Sequence, residues 1–243
     1  MGYASLVTEL EGLKSESKKK VLSSFFKTGP GQYGEGDVFL GITVPVLRSV
    51  ALRYPMLGFD DISKLLGSVV HEHRYVGLAL LCTRYTKGDL VVKKECYDFY
   101  VAHFSCVNNW DLVDTSAPVV VGEYLFSHPE LRGALFEWAG SSRMWTRRVA
   151  VVSQYYAIKR GHFNEILKLC FLLLDDKEDL MHKACGWMLR EVGKKDASVL
   201  RRFLDEHAVL MPRTMLRYAI EKFDADERRK YLGMRGLRMK KLR

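Results

Sequence analysis

The sequence predicts an all-α protein, a solenoid of stacked two-helix repeats (an α-α superhelix) with a basic concave groove. Three observations predict it. Five segments, each a basic or polar opener followed by an apolar run, start near Arg74, Trp110, Arg147, His182 and Arg213, at steps of 36, 37, 35 and 31 residues. A fixed period in that range belongs to paired-helix repeats, where one helix of each pair faces the same side. The alternation of apolar and polar residues that marks a half-buried strand is almost absent. Polar breaks carrying caps and prolines separate the periodic stretches.

Leu6 to Lys27 reads as one amphipathic helix rich in Lys and Glu. The stretch from Thr28 to Asp37 holds four glycines and a proline, which a helix does not tolerate. It lacks the Gly-Lys-Ser/Thr ending of a phosphate loop, and no strand leads into it. It is expected to be a loop at the entrance of the solenoid that presents Tyr33. A helix then starts at Thr43 or Val44, with Pro45 in its first turn. Asp60 to Val70 pairs with His71 to Lys87, Asp89 to Phe104 with Trp110 to Phe126, and Pro129 to Ala139 with Met144 to Arg160. Phe163 to Leu174 pairs with Leu180 to Val192, and Ala197 to His207 with Pro212 to Phe223. Asn109 can cap the helix opened by Trp110, and Pro129 and Pro212 sit where a first turn accepts proline. The expected organisation is one repeat domain over residues 1–243: a helix and glycine-rich loop to 42, repeats over about 43–223, and a basic tail over 224–243.

Hydrophobic residues make up 48% of the 243, enough for a sizeable core. The net charge of +9 favours a polyanionic partner, nucleic acid or an anionic membrane surface. No apolar stretch reaches the ~18 residues needed to cross a bilayer, and the opening Met1-Gly2-Tyr3-Ala4 does not read as a signal peptide. No membrane partner is expected. Cys82, Cys96, Cys106, Cys170 and Cys185 are odd in number and form no CxxC pair, so reduced buried thiols are expected, without disulfides or a metal site. The last ten residues, Met234 to Arg243, carry five positive charges and no acid. They read equally as a solvated end or as a basic arm on a phosphate backbone.

The sharpest local feature is Asn108-Asn109-Trp110-Asp111-Leu112-Val113-Asp114. On a helix Trp110 and Asp114 share a face, while Leu112 and Val113, with Val119 and Val120, supply the buried side. A tryptophan plane can stack on a base or attract a cation, and a carboxylate beside it can stabilise positive charge growing on a sugar. The plainer alternative is a core tryptophan with an acid facing the helix dipole. Trp187 lies on the equivalent helix two repeats on, and Arg147 and Arg148 open the intervening one. Stacked repeats would bring Trp110, Arg148 and Trp187 to one concave surface, and aromatic planes among guanidinium groups suit nucleic acid. Trp138 and Trp145 read as packing residues.

Taken with the run from Gly29 to Ile42 and Pro45, with Trp145-Thr146-Arg147-Arg148, and with Lys183-Ala184-Cys185-Gly186-Trp187-Met188-Leu189-Arg190-Glu191, this motif resembles the AlkD-type DNA alkylation repair glycosylases, which are built from HEAT-like repeats. The resemblance runs from about Gly29 to about Phe223. It implies hydrolysis of the N-glycosidic bond of N3- and N7-alkylated purines, such as 3-methyladenine and 7-methylguanine, in double-stranded DNA. It implies that this happens without an enclosing base pocket, metal or cofactor. By the resemblance, Asp114 stabilises the oxocarbenium-like sugar and positions the water, and Trp110 and Trp187 pack on the lesioned nucleotide. Arg148 contacts DNA phosphate or holds the strand, and Tyr33 is similar to the family's N-terminal aromatic contact; Arg147 and Lys183 are further candidate DNA-binding residues. A cytoplasmic monomer is expected. The alternative reading is a non-catalytic HEAT-like protein that binds DNA structure. A protein-binding scaffold is a third reading, which the positive charge opposes.

Overall fold

A computed structural model describes the backbone of residues 2–241 and the side chains of residues 2–234. Among the described residues the structure is helical, and the one sheet-like contact is an isolated parallel bridge between Val38 and Val70. The basic-arm reading of the tail falls almost wholly on side chains outside the described residues. The chain divides into two compact units, Met1–Tyr124 and Leu125–Arg243.

The first unit begins with α1 (Tyr3–Gly12) and α2 (Glu16–Phe25), where the sequence predicts one continuous helix. The break comes from a contact remote in sequence. The backbone of Gly41, at φ +88°, lies so close to Ser15 that a Cβ would stand 2.3 Å from the Ser15 carbonyl oxygen. The Ser15 amide meanwhile donates to the Leu40 carbonyl at 2.9 Å. Next come α3 (Val44–Leu52), entered through Pro45, α4 (Phe59–Leu66) and α5 (His71–Lys87). Asp89 accepts from the amides of Val91 and Val92 and starts α6 (Leu90–Ala102). The chain then reaches α7 (Trp110–Ala117), a π turn over Pro118–Gly122, and α8 (Glu123–Ser127). Helices α3, α4, α6 and α7 all pack on α5, which is buried along most of its length.

The π turn has a local cause and a consequence. Pro118 has no N–H to donate to the carbonyl of Asp114, so the ladder opens by one residue. The buried stripe slips with it. Leu112, Val113, Val120 and Val121 are fully buried, whereas Val119, expected inside, is half-exposed.

The second unit holds α9 (Gly133–Ala139), α10 (Met144–Ser153), α11 (Tyr155–Lys159), α12 (Asn164–Leu172) and α13 (Asp179–Lys195). It ends with α14 (Ala197–His207), α15 (Arg213–Ala219) and α16 (Ala225–Lys241). The helix expected over Met144 to Arg160 is interrupted at Gln154. Asp196 caps α14 by accepting from the amides of Ser198 and Val199. Helix α13 packs hardest on α15 at Gly186, where a Cβ would lie 2.5 Å from the Met215 carbonyl oxygen.

The five openers fall at helix starts: Arg74 in the first turn of α5, Trp110 at the start of α7, Arg147 in α10, His182 in α13 and Arg213 in α15. The paired-helix period is therefore the real repeat of the chain. The cysteines are free thiols. Burial pushes Cys82 up to about 12 and Cys96 up to about 11, so neither is a reactive thiolate near neutral pH. No helix among the described residues is long and apolar enough to cross a membrane, and no group of His, Cys, Asp and Glu among them could hold a metal ion.

Candidate nucleic-acid interface

The start of α7 is organised by Asn109. This fully buried residue lies in extended conformation, and its Oδ1 accepts the Trp110 amide at 2.8 Å. Trp110 and Asp114 are half-buried and one turn apart, so they share a face as the spacing predicts. The indole is held by rings at the C-terminal end of α2 and its cap. Phe26 stacks on it at 5.2 Å with planes 13° apart, and Phe25 meets it edge-on at 5.8 Å. Phe25 is itself 61% exposed. Tyr33 is half-buried, and its hydroxyl donates to the Phe25 carbonyl at 3.4 Å, so the glycine-rich loop leans on the segment that clamps Trp110. Beneath this face Tyr100 bonds Ser116 at 2.8 Å. Burial first, with the Asp114 charge adding to it, holds the Tyr100 hydroxyl far above its ordinary range, so it stays protonated.

Behind the site lies a buried ionic network that sequence reasoning missed. His71, the first residue of α5, is 3% exposed and uses both ring nitrogens: Nε2 lies 2.8 Å from Asp111 and Nδ1 3.3 Å from Asp37. Burial alone would lower its pKa, but the bonds to Asp111 and Asp37 outweigh that and raise it to about 9. His71 is therefore an imidazolium at neutral pH. Arg74 Nη2 reaches the other Asp37 oxygen at 2.6 Å, and Asn109 Nδ2 donates to Asp37 at 3.4 Å. Burial works to raise the Asp37 pKa, but His71 and Arg74 together hold it below the ordinary carboxylate value. The neighbouring Glu72, also buried, accepts the amides of Leu40, Gly41 and Ile42 at 2.8–3.2 Å. The signal was present in His71-Glu72-His73-Arg74, four ionisable residues in succession opening a helix that is otherwise largely apolar. Such a run on a buried helix has to find partners.

In the second unit, Arg148 is buried and its Nη1 donates to the Leu180 carbonyl at 2.7 Å, tying α10 to the first turn of α13. Arg147 forks onto Asp176, Nε at 2.7 Å and Nη2 at 3.2 Å, while its Nη1 donates to the carbonyls of Ser141 and Ser142. Lys183 pairs with Asp179 at 2.7 Å along α13. The Lys183 bond comes first in holding the Asp179 carboxyl below its ordinary value. Trp187 follows Lys183 by one turn on the same face, half-buried, with its ring 5.8 Å from that of Tyr155. The Nζ of Lys159 stands 4.7 Å over the Tyr155 ring. Each unit thus carries a tryptophan on a repeat helix together with a charged residue on the same face. Asp114 is the carboxylate of the first, and Lys183 is the cation of the second.

A family model described as DNA alkylation repair enzyme matches residues 6–223. Among solved structures, the chain resembles a predicted DNA alkylation repair enzyme from Enterococcus faecalis with a TM-score of 0.68 at 17% identity, covering 87% of this chain and 97% of that one. It also resembles smu.31 from Streptococcus mutans UA159, with a TM-score of 0.53 at 17% identity over 91% of this chain and 99% of the other. At that identity the likeness concerns the fold. None of the curated proteins compared with the sequence matches it.

Proposed function

We propose that this chain, which belongs to the DNA alkylation repair enzyme family, is a monofunctional DNA glycosylase acting on cationic alkylated purines in duplex DNA. Its substrates are lesions such as 3-methyladenine and 7-methylguanine, whose bases carry a positive charge. The bond from C1′ to N9 breaks with its electron pair going to the base, which leaves neutral and needs little protonation. The demanding part is the sugar, which becomes an oxocarbenium-like cation before water adds to C1′ and sheds a proton. In this reading Asp114 lies against that sugar, stabilises the cation and orients the water. Trp110 and Trp187 pack on the sugar and backbone of the damaged nucleotide, as aromatic planes do in nucleic-acid grooves. No enclosing base pocket, metal or cofactor is needed, and the protein acts as a cytoplasmic monomer.

The basic residues divide by their surroundings. Lys183 pairs along its own helix with Asp179, a half-exposed arrangement worth a few tenths of a kcal/mol, and in this reading it exchanges that bond for a phosphate. Arg148, expected to hold the strand, is buried with its guanidinium on the Leu180 carbonyl, so it acts by tying α10 to the first turn of α13 beneath the DNA-facing surface. Arg147, with its fork on the buried Asp176, supports this surface more than it touches DNA. Tyr33 supplies the aromatic contact from the glycine-rich loop.

The observation that carries the reading is a half-buried carboxylate one turn from a tryptophan whose ring is already stacked on Phe26. A carboxylate facing phosphates repels DNA, so a carboxylate beside Trp110 suits a protein that uses it chemically better than one that only binds DNA. The test is release of 7-methylguanine from methylated duplex DNA by the wild type and by Asp114→Asn. The expected outcome is a rate loss on the order of 10²–10³ with DNA affinity roughly intact. Full activity in the variant removes Asp114 from the chemistry. Binding without base release by the wild type establishes the non-catalytic alternative instead.

A further inference from the structure

We propose that the buried Asp37–His71–Asp111 relay is the positioning device of this site, fixing the first turn of α7 so that Trp110 and Asp114 meet the sugar in one orientation. The inference rests on the glycosylase reading above. Two routes join His71 to Trp110. The polar route runs from Nε2 to Asp111 at 2.8 Å, in the turn that Trp110 opens. It also runs from Nδ1 to Asp37 at 3.3 Å, from Asp37 to Asn109 at 3.4 Å, and from Asn109 to the Trp110 amide at 2.8 Å. The aromatic route is a ladder of rings. His71 stacks on Phe39 at 4.6 Å and leans on Phe26 at 5.0 Å, and Phe26 stacks on Trp110 at 5.2 Å.

The chemistry of the relay makes it selective for one geometry. An imidazole can satisfy two carboxylates only as a double donor, so the cation is part of the structure. The charged groups facing it are Asp37 from the loop, Asp111 from α7, and Arg74 on its own helix, with Glu72 turned away onto the amides of residues 40–42. A buried ionic cluster is a poor source of stability compared with apolar packing, but it discriminates sharply among arrangements because any misplacement strands a charge. The loop after α2, the start of α5 and the start of α7 are therefore locked at the point where Trp110 and Asp114 emerge. A displacement of about 1 Å at a reacting centre costs on the order of 10²-fold in rate. His71 touches no substrate in this scheme and acts through Asp111 and Asn109.

The test compares the wild type, His71→Gln and Asp37→Asn in single-turnover release of 7-methylguanine, with spontaneous release subtracted, alongside DNA affinity and thermal melts. Both variants keep hydrogen-bonding groups of similar size while removing a charge. The expected result is DNA affinity within about threefold of the wild type and a release rate lowered about 10–100-fold. The wild-type rate should also fall as pH rises through about 9, a limb missing from His71→Gln. If His71→Gln does not fold, Asp37→Asn and the wild-type pH profile decide. A folded variant that releases base at the wild-type rate, or a loss seen wholly in affinity, overturns the proposal. If Asp114→Asn is inactive while His71→Gln is fully active, only this inference falls. If the wild type releases no base, the glycosylase reading falls and takes this inference with it.

Discussion

A single buried charge shows how the residue scale governs this site. His71 has its folded pKa raised from 6.5 to about 9. Its stabilising contribution is therefore complete below about pH 6.5 and is lost as pH rises through about 9. A shift of that size in a residue 3% exposed corresponds to about 3 kcal/mol. Asp37 works in the opposite direction. Held below its ordinary value of 3.8, it stabilises the fold above that pH and ceases to as pH falls below it. Stability should therefore be greatest between about pH 4 and 6.5 as far as these two groups set it. Urea unfolding at pH 6 and pH 9.5 should show a loss approaching 3 kcal/mol in the wild type and a flat profile in His71→Gln. An equal loss in both proteins would show that His71 is not the responsible group. Trp110 and Asp114 were legible from sequence because i, i+4 spacing on a helix is local geometry. The Asp37–His71–Asp111 relay was not, because its members lie 34 and 40 residues apart and only the tertiary fold makes them neighbours.

Helices were readable where a local device starts them and unreadable where a distant contact ends them. Asn109 and Pro45 sit at helix starts as expected, and the helices expected from Asp89 and Ala197 do begin there, since a cap or a first-turn proline acts within its own turn. The gap between α1 and α2 was missed because Gly41 causes it from across the unit, and the slip of the buried stripe after Pro118 needed the π turn itself. The contact of α13 with α15 gives a sharp expectation at this scale. In an exposed helix Gly→Ala gains about 1 kcal/mol from propensity. At Gly186 the added methyl would stand 2.5 Å from the Met215 carbonyl and from the Tyr218 Cβ. Backbone cannot swing aside as a side chain does, so overpacking of about 1–3 kcal/mol should win. Gly186→Ala should lower the melting temperature, and because Trp187 is the next residue it should also weaken DNA binding. Asp196→Ala, by contrast, removes only the α14 cap and should cost about 1 kcal/mol with DNA affinity unchanged. A melting temperature raised by Gly186→Ala would mean that the two helices are not in the close register described.

At the scale of the whole molecule, the period of the openers was legible because every repeat solves the same problem, burying one helix behind another. The charge was legible as a number but not as a distribution. Lys and Arg total 38 against 29 Asp and Glu, yet two cations singled out from sequence are engaged inside the fold, Arg147 with Asp176 and Arg148 with Leu180, and a third, Lys183, is paired with Asp179 at the surface. The excess of nine that the formal charge leaves is what a polyanion would meet. A DNA-binding protein that neutralises about six phosphates releases the same number of counterions, and its affinity falls about 10³-fold between 50 and 200 mM salt. Titration of a fluorescent duplex across that range should give such a decline for the wild type. Asp114→Asn should follow the same slope at equal or tighter affinity, since it removes one repulsive charge without adding a phosphate contact. Lys183→Gln should reduce the slope by about one unit if that lysine exchanges Asp179 for phosphate. A slope near zero would point to the protein-binding scaffold, because a partner without a condensed counterion layer leaves nothing for salt to compete with.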